Sequence, residues 1–196
     1  MATYNAVAAV SRAMLGLIEE HCPRALLISP EFKLYHAADF ERPMSEGFSL
    51  FLYRVSINAS VRNLPPRRTA DGRRYRPSLP LDLHYLLTPW AGDGERQQRM
   101  LGWGMRFLED LGTLPAGLLN HYVQETDSFR PEEAVEIVCD PLPLQDYVNL
   151  WDKLKPKMQT SITYALRMVM LDSSIESPGY GLVQTREFAA GTLVAP

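Results

Sequence analysis

Apolar residues recur every three or four positions at the start of the chain, where Ala6, Val10, Ala13, Met14, Leu17 and Ile18 form one stripe. That spacing predicts a helix from Thr3 to Glu20, ended by Pro23. "RALLIS" (24–29) reads as a short strand, and Pro30 to Glu46 has no period and reads as a surface loop. "FSLFLYRVSI" (48–57) is almost continuously apolar, the pattern of a strand covered on both faces. Strict alternation would put Phe51, Tyr53, Val55 and Ile57 on one face and Phe48, Leu50 and Leu52 on the other, which turns polar at Arg54 and Ser56. Asn58 to Pro80 is polar and basic, and residues 81–88 form the next strand. There Leu81, Leu83, Tyr85 and Leu87 make the buried face, with Asp82, His84, Leu86 and Thr88 opposite.

Beyond the turn at Asp93-Gly94, Met100, Leu101, Gly104, Phe107, Leu108 and Leu111 mark a second helix. "AVEIVC" (134–139) reads as a strand and "PLPLQDYVNLWDKL" (141–154) as a third helix with Pro143 in its first turn. "SITYALRMVML" (161–171) is the last strand, with Ile162, Tyr164, Leu166, Met168 and Met170 on one side. The order helix, strands, helix, strand, helix, strand predicts a single compact α+β domain over residues 1–175, a mixed and largely antiparallel sheet flanked by helices. Residues 176–196 carry turn chemistry at Pro178-Gly179 without a period, and read as an arm ordered by a neighbouring subunit.

Composition changes this picture little. The 196 residues are 46% hydrophobic and 22% charged, ordinary globular usage for one domain. A net charge of -3 does not point to nucleic acid. The N-terminus lacks a basic region, and no apolar run reaches the roughly 20 residues of a membrane span. The expected location is the cytoplasm. Cys22 and Cys139, far apart, read as buried thiols rather than a disulfide.

Two features carry candidate chemistry. Asp82 and His84 lie two apart on a strand, so both can point to one side and offer two metal ligands. A catalytic metal site needs a third ligand, and His21, His36 and His121 are scattered singly, without H-x-x-x-H or C-x-x-C spacing. A small metal-dependent hydrolase is therefore the rival reading, and a structural pair the preferred one. "GWG" and "GYG" lack the residues of a phosphate loop, and "GDGE" lacks calcium-loop spacing.

The second feature is "RNLPPRRTADGRRYR" (62–76), which carries Arg62, Arg67, Arg68, Arg73, Arg74 and Arg76 against one aspartate. Arginine favours planar contacts with carboxylates or phosphates. Two readings stand: a solvated loop, or a contact surface for an acidic protein partner. Tyr75 alone is a poor platform for stacking bases.

With "SLFLYRVSINASVRNLPPRR", "LPLDLHYLLTPW", a glycine-containing helix and "PLPLQDYVNLWDKL" in that order, the chain resembles the N-terminal domain of the contractile injection system cap, the tail terminator of phage-tail-like particles such as antifeeding prophages and virulence cassettes. The similarity runs from about Leu50 to Leu171 and rests on the ordered set, including L-Y-x-V-x-x-N and L-x-L-x-Y-L-L. It implies a structural protein with a fold related to phage tail terminators, no catalytic residue and no cofactor. It further implies a homohexameric ring that closes the distal end of the inner tube and touches the last sheath layer, without nucleic acid or membrane. Residues 31–46 follow the family pattern poorly, and the C-terminal extension of several relatives is expected to be absent. A phage tail terminator joining tail to head is the structural alternative.

Overall fold

The computed structural model describes residues 4–69, 71–122, 129–154 and 157–177. Helix α1 (Ala6–His21) buries Ala6, Val10, Ala13, Met14, Leu17 and Ile18, the stripe that its spacing predicts, and Ala9 besides. Its last turn closes where the Cys22 amide donates to the Ile18 carbonyl, and Pro23 prevents another. Strands β1 (Glu31–Tyr35) and β2 (Gly47–Ile57) follow, then the short β3 (Arg67–Arg68) and β4 (Arg74–Tyr75), and β5 (Leu79–Trp90). Next come α2 (Gly94–Leu111), β6 (Thr113–Pro115), α3 (Ala116–His121), β7 (Ala134–Cys139), α4 (Leu144–Leu154) and β8 (Ile162–Leu171).

Six strands form one sheet in the order β1-β2-β5-β8-β7-β6. Among the described residues only β1 and β2 run parallel, and the other pairs of this sheet are antiparallel. The α+β class with a mixed, largely antiparallel sheet is therefore the architecture found. One face carries α1, α2 and α3, whose Met14, Ile18, Met100, Leu108 and Leu119 pack on Leu50, Leu83, Tyr85 and Leu87. Ser11 and the Tyr85 hydroxyl, 2.6 Å apart, satisfy each other inside this core. The opposite face holds a smaller, aromatic cluster in which Tyr35, Phe40, Trp90 and Trp151 surround Leu86. Phe40 meets Trp151 edge-on at 5.7 Å, a geometry suited to ring quadrupoles. So α4 of the same chain covers the Leu86 side of β5.

Several expectations are corrected. "RALLIS" is not a strand: Arg24–Leu26 is a 3-10 turn, and Ile28 is 81% exposed. A short apolar run does not specify a strand when no neighbour takes its hydrogen bonds. The expected loop 30–46 instead contains β1 and a 3-10 turn at Ala37–Glu41. The third predicted helix starts at Leu144, with the Tyr147 amide donating to the Pro143 carbonyl, so Pro143 precedes the helix. The expected arm lies outside the described residues beyond Ser177.

The face assignments also shift, for one physical reason. β2 slips register between Leu52 and Arg54, and β8 does so opposite Asp82. Each bulge inserts one residue, and one extra residue reverses the alternation beyond it. Val55 and Ile57 pair with Leu83 and Leu81 and so share the α1 face, while Arg54 and Ser56 pair with His84 and Asp82. In β8, Met168 takes φ 67° and Val169, not Met168, is fully buried.

Glu46 fastens the stretch before β1 to the sheet. Its carboxylate accepts from the Ile28 and Ser29 amides at 3.0 and 2.8 Å and from Arg96 at 2.9 Å. Those donors, the Ser29 amide foremost, hold its pKa below the usual glutamate value. Because the folded value is the lower one, the stabilisation is complete above the unfolded pKa and fades as pH falls through the folded one. Glu46→Gln should cost about 2 kcal/mol at pH 7, and the gap to wild type should narrow below about pH 4. Urea denaturation at the two pH values measures it; an equal gap at both would refute the ionised clamp.

Candidate interaction surface

The arginine-rich stretch folds into a hairpin rather than an open loop. β3 and β4 pair Arg67 with Tyr75 and Arg68 with Arg74. The turn closes where the Gly72 amide donates to the Thr69 carbonyl at 2.9 Å and the Thr69 amide to the Arg73 carbonyl at 3.0 Å. Gly72 takes φ +84°, a region that suits glycine at a turn. Asp71 accepts from the Thr69 hydroxyl, which with Arg73 lowers its pKa.

The root of the hairpin is pinned to the end of β8. Asp172, its side chain only 3% exposed, accepts from Ser78 at 2.6 Å. The Arg67 Nε lies 3.5 Å away and Arg130 3.8 Å away, at ion-pair distance. The Arg67 guanidinium also lies over the Tyr75 ring, 4.7 Å from its centroid. The segment after β8 then runs along β4: the Arg76 amide donates to Ile175 and the Ser177 amide to Arg74.

These contacts sort the six arginines. Arg67 is turned inward and Arg74 is half-buried. Arg73 is exposed but shared between Asp71 at 3.1 Å and Glu176 at 3.6 Å. Arg62, Arg68 and Arg76 are exposed and have no carboxylate partner among the described residues. Arg54, on β2, is exposed and equally without one. Arg54 lies in a largely apolar run, and the bulge before it turns it to the side of His84 and Asp82.

Asp82 and His84 are engaged separately. The Asp82 Oδ1 accepts from the Asn58 side chain at 3.0 Å and the Met168 amide at 3.3 Å. It thus holds the β8 bulge, where a positive φ costs roughly 1 to 2 kcal/mol. His84 Nε2 meets Ser56 Oγ at 2.9 Å, and Nδ1 lies 3.4 Å from Asp140. Among the described residues no three His, Cys, Asp or Glu side chains are placed to hold a metal ion. Cys22 and Cys139 are free thiols; burial pushes Cys22 up to about 11 and Cys139 upward, away from the reactive thiolate. A depression of about 420 Å³ beside Cys22 is lined by Glu19, Glu20, Arg24 and Phe32, without a nucleophile and base in contact. No described helix is long and apolar enough to cross a membrane.

The model of the family described as the Pvc16 N-terminal domain matches residues 9–185. Among solved structures, the fold is similar to the sheath/tube terminator of PVC, an extracellular contractile injection system, in its extended state. The TM-score is 0.60 at 15% identity, over 95% of this chain and 65% of that one. It is also similar to the tube-terminating cap of the anti-feeding prophage, with a TM-score of 0.53 at 18% identity over 92% of this chain and 60% of the cap. The chain thus spans somewhat under two thirds of the length of both terminators. No curated protein matches.

Proposed function

The chain belongs to the Pvc16 N-terminal domain family, and from that premise we propose that it is a structural tail terminator, the cap of a phage-tail-like contractile injection system. What carries the reading is the family match over residues 9–185, joined to a fold shared with two terminators of such particles. The role is associative. The protein is made in the cytoplasm, assembles as a homohexameric ring, seats on the end of the inner tube and stops further subunit addition. It also engages the last sheath layer. No catalytic step, cofactor, nucleic acid or membrane enters. Repeated head-to-tail contacts that close into a ring present two different surfaces per subunit, and the arginine hairpin with residues 176–196 supplies one of them. Arg62, Arg68, Arg73 and Arg76 meet acidic groups of the tube or sheath, while Arg67 and Arg74 hold the hairpin in place.

Replacing Arg62, Arg68 and Arg76 together by glutamate leaves the internal ion pairs intact and reverses the exposed charge. Particles assembled with this variant should be irregular in length or open at the distal end in electron micrographs. Surface pairs contribute little singly, about 0 to 1 kcal/mol each, so the triple variant is needed. Capped particles of normal length from a well-folded triple variant would overturn the assignment of these arginines.

A further inference from the structure

β1 covers only part of β2. Their parallel pairing runs from Glu31 against Gly47 to Tyr35 against Phe51 and stops there. The stop is built in: the His36 amide donates to Asp39 at 2.8 Å, a reciprocal cap that turns the chain into the 3-10 segment on the aromatic face. Among the described residues no strand pairs with the outer side of β2 beyond Phe51. The opposite edge of the sheet is handled differently, since β6 is three residues long and ends at Pro115, which has no amide to offer.

The open edge has a readable chemistry. After the bulge at Tyr53, Arg54 to Ile57 continue as regular strand against β5. Val55 and Ile57 are 48% and 45% exposed on one face. Arg54 is exposed on the other face, and Arg62 is exposed just past the strand end; neither has a carboxylate partner among the described residues. An added strand places its side chains against those of its neighbour with the same period of two. Its residues opposite Val55 and Ile57 would therefore be apolar, and those opposite Arg54 and toward Arg62 acidic.

We propose that the outer edge of β2, residues 54–57, is a docking site for an extended segment of a partner protein in which apolar and acidic residues alternate, added as a seventh strand. Main-chain hydrogen bonds supply the affinity, and the Val55/Ile57 face together with Arg54 supplies the selection. Attachment of this kind joins a rigid domain to a flexible strap of a neighbouring protein without requiring matched globular surfaces. The inference deepens the terminator reading by naming the chemistry of one partner segment.

The test uses the isolated protein and two end-capped nine-residue peptides, one alternating valine with glutamate, its twin alternating valine with lysine. Amide hydrogen exchange at residues 54–57 should slow roughly tenfold at a peptide concentration about ten times its Kd, with the glutamate peptide alone. Arg54→Glu with Arg62→Glu, both surface changes, should transfer that protection to the lysine peptide. Protection by neither peptide, or by both equally, overturns the proposal. So does slowed exchange at 54–57 on raising the protein concentration without peptide, which would assign the edge to a second copy. Particle length with the Arg62, Arg68 and Arg76 variant is a separate readout, so failure of peptide docking and failure of the terminator reading are distinguishable.

Discussion

Gly47→Ala should be among the most damaging single substitutions in the domain, lowering stability by about 3 to 5 kcal/mol. Gly47 takes φ +133°, where a β-carbon is strained whatever the space. There is also no space: the added carbon would lie 1.8 Å from the Glu31 carbonyl oxygen. Gly47 pairs with Glu31 on one side and Trp90 on the other, so relief requires β1 to move away from β2. The Glu31 amide bond to the Glu46 carbonyl, 2.9 Å, would be strained with it. Thermal denaturation should show a fall in Tm of roughly 10 °C, and hydrogen exchange should locate the loss at residues 31–35. Gly92→Ala, where a β-carbon meets nothing within 4 Å, is the control and should be near neutral. A Tm within two or three degrees of wild type for Gly47→Ala would mean that β1 is not tied to β2 as described.

Asp172→Ala should cost about 3 kcal/mol and release the arginine hairpin. Removing one partner from a buried ionic group leaves the others uncompensated, which is costlier than never having buried them. Here Arg67, its side chain 10% exposed, would lose the Asp172 carboxylate 3.5 Å away, and Ser78 its acceptor. Brief trypsin treatment should then cut at Arg67, Arg68, Arg73 or Arg74 at least tenfold faster than in wild type, because a freed segment opens with a lower free energy. Mass spectrometry of the fragments reads the sites. Unchanged cleavage would show that other contacts, such as the 175–177 pairing to β4, hold the hairpin without Asp172.

Much of the sheet was legible because its central strands are apolar enough to need cover on both faces. β2, β5, β7 and β8 all fall where their apolar runs predict. β1 was not, since "EFKLY" buries only Tyr35 and becomes a strand through Glu31 and Gly47, not through its own composition. β6 and α3 escaped for a like reason: "TLP" is a strand only because Val135 and its neighbours accept it. Side assignment failed past Tyr53 and Arg167, because bulges depend on the facing strand and leave the local pattern of two intact. The arginines were visible as a cluster, but their division was not. Arg67 is inward because of Asp172, more than a hundred positions away, and no local spacing announces such a partner.

The position of β8 has a consequence for how the protein is made. It is the last strand among the described residues, yet it lies between β5 and β7 near the middle of the sheet. Leu83 finds its partner only at Leu166, and Tyr85 only at Tyr164. During synthesis β2 and β5 can pair early, but the principal core stays open until Leu171 has emerged, because contacts distant in sequence form late. Asp172 comes next and fixes the hairpin. A chain shorter than this therefore lacks both the closed core and the pinned arginine hairpin.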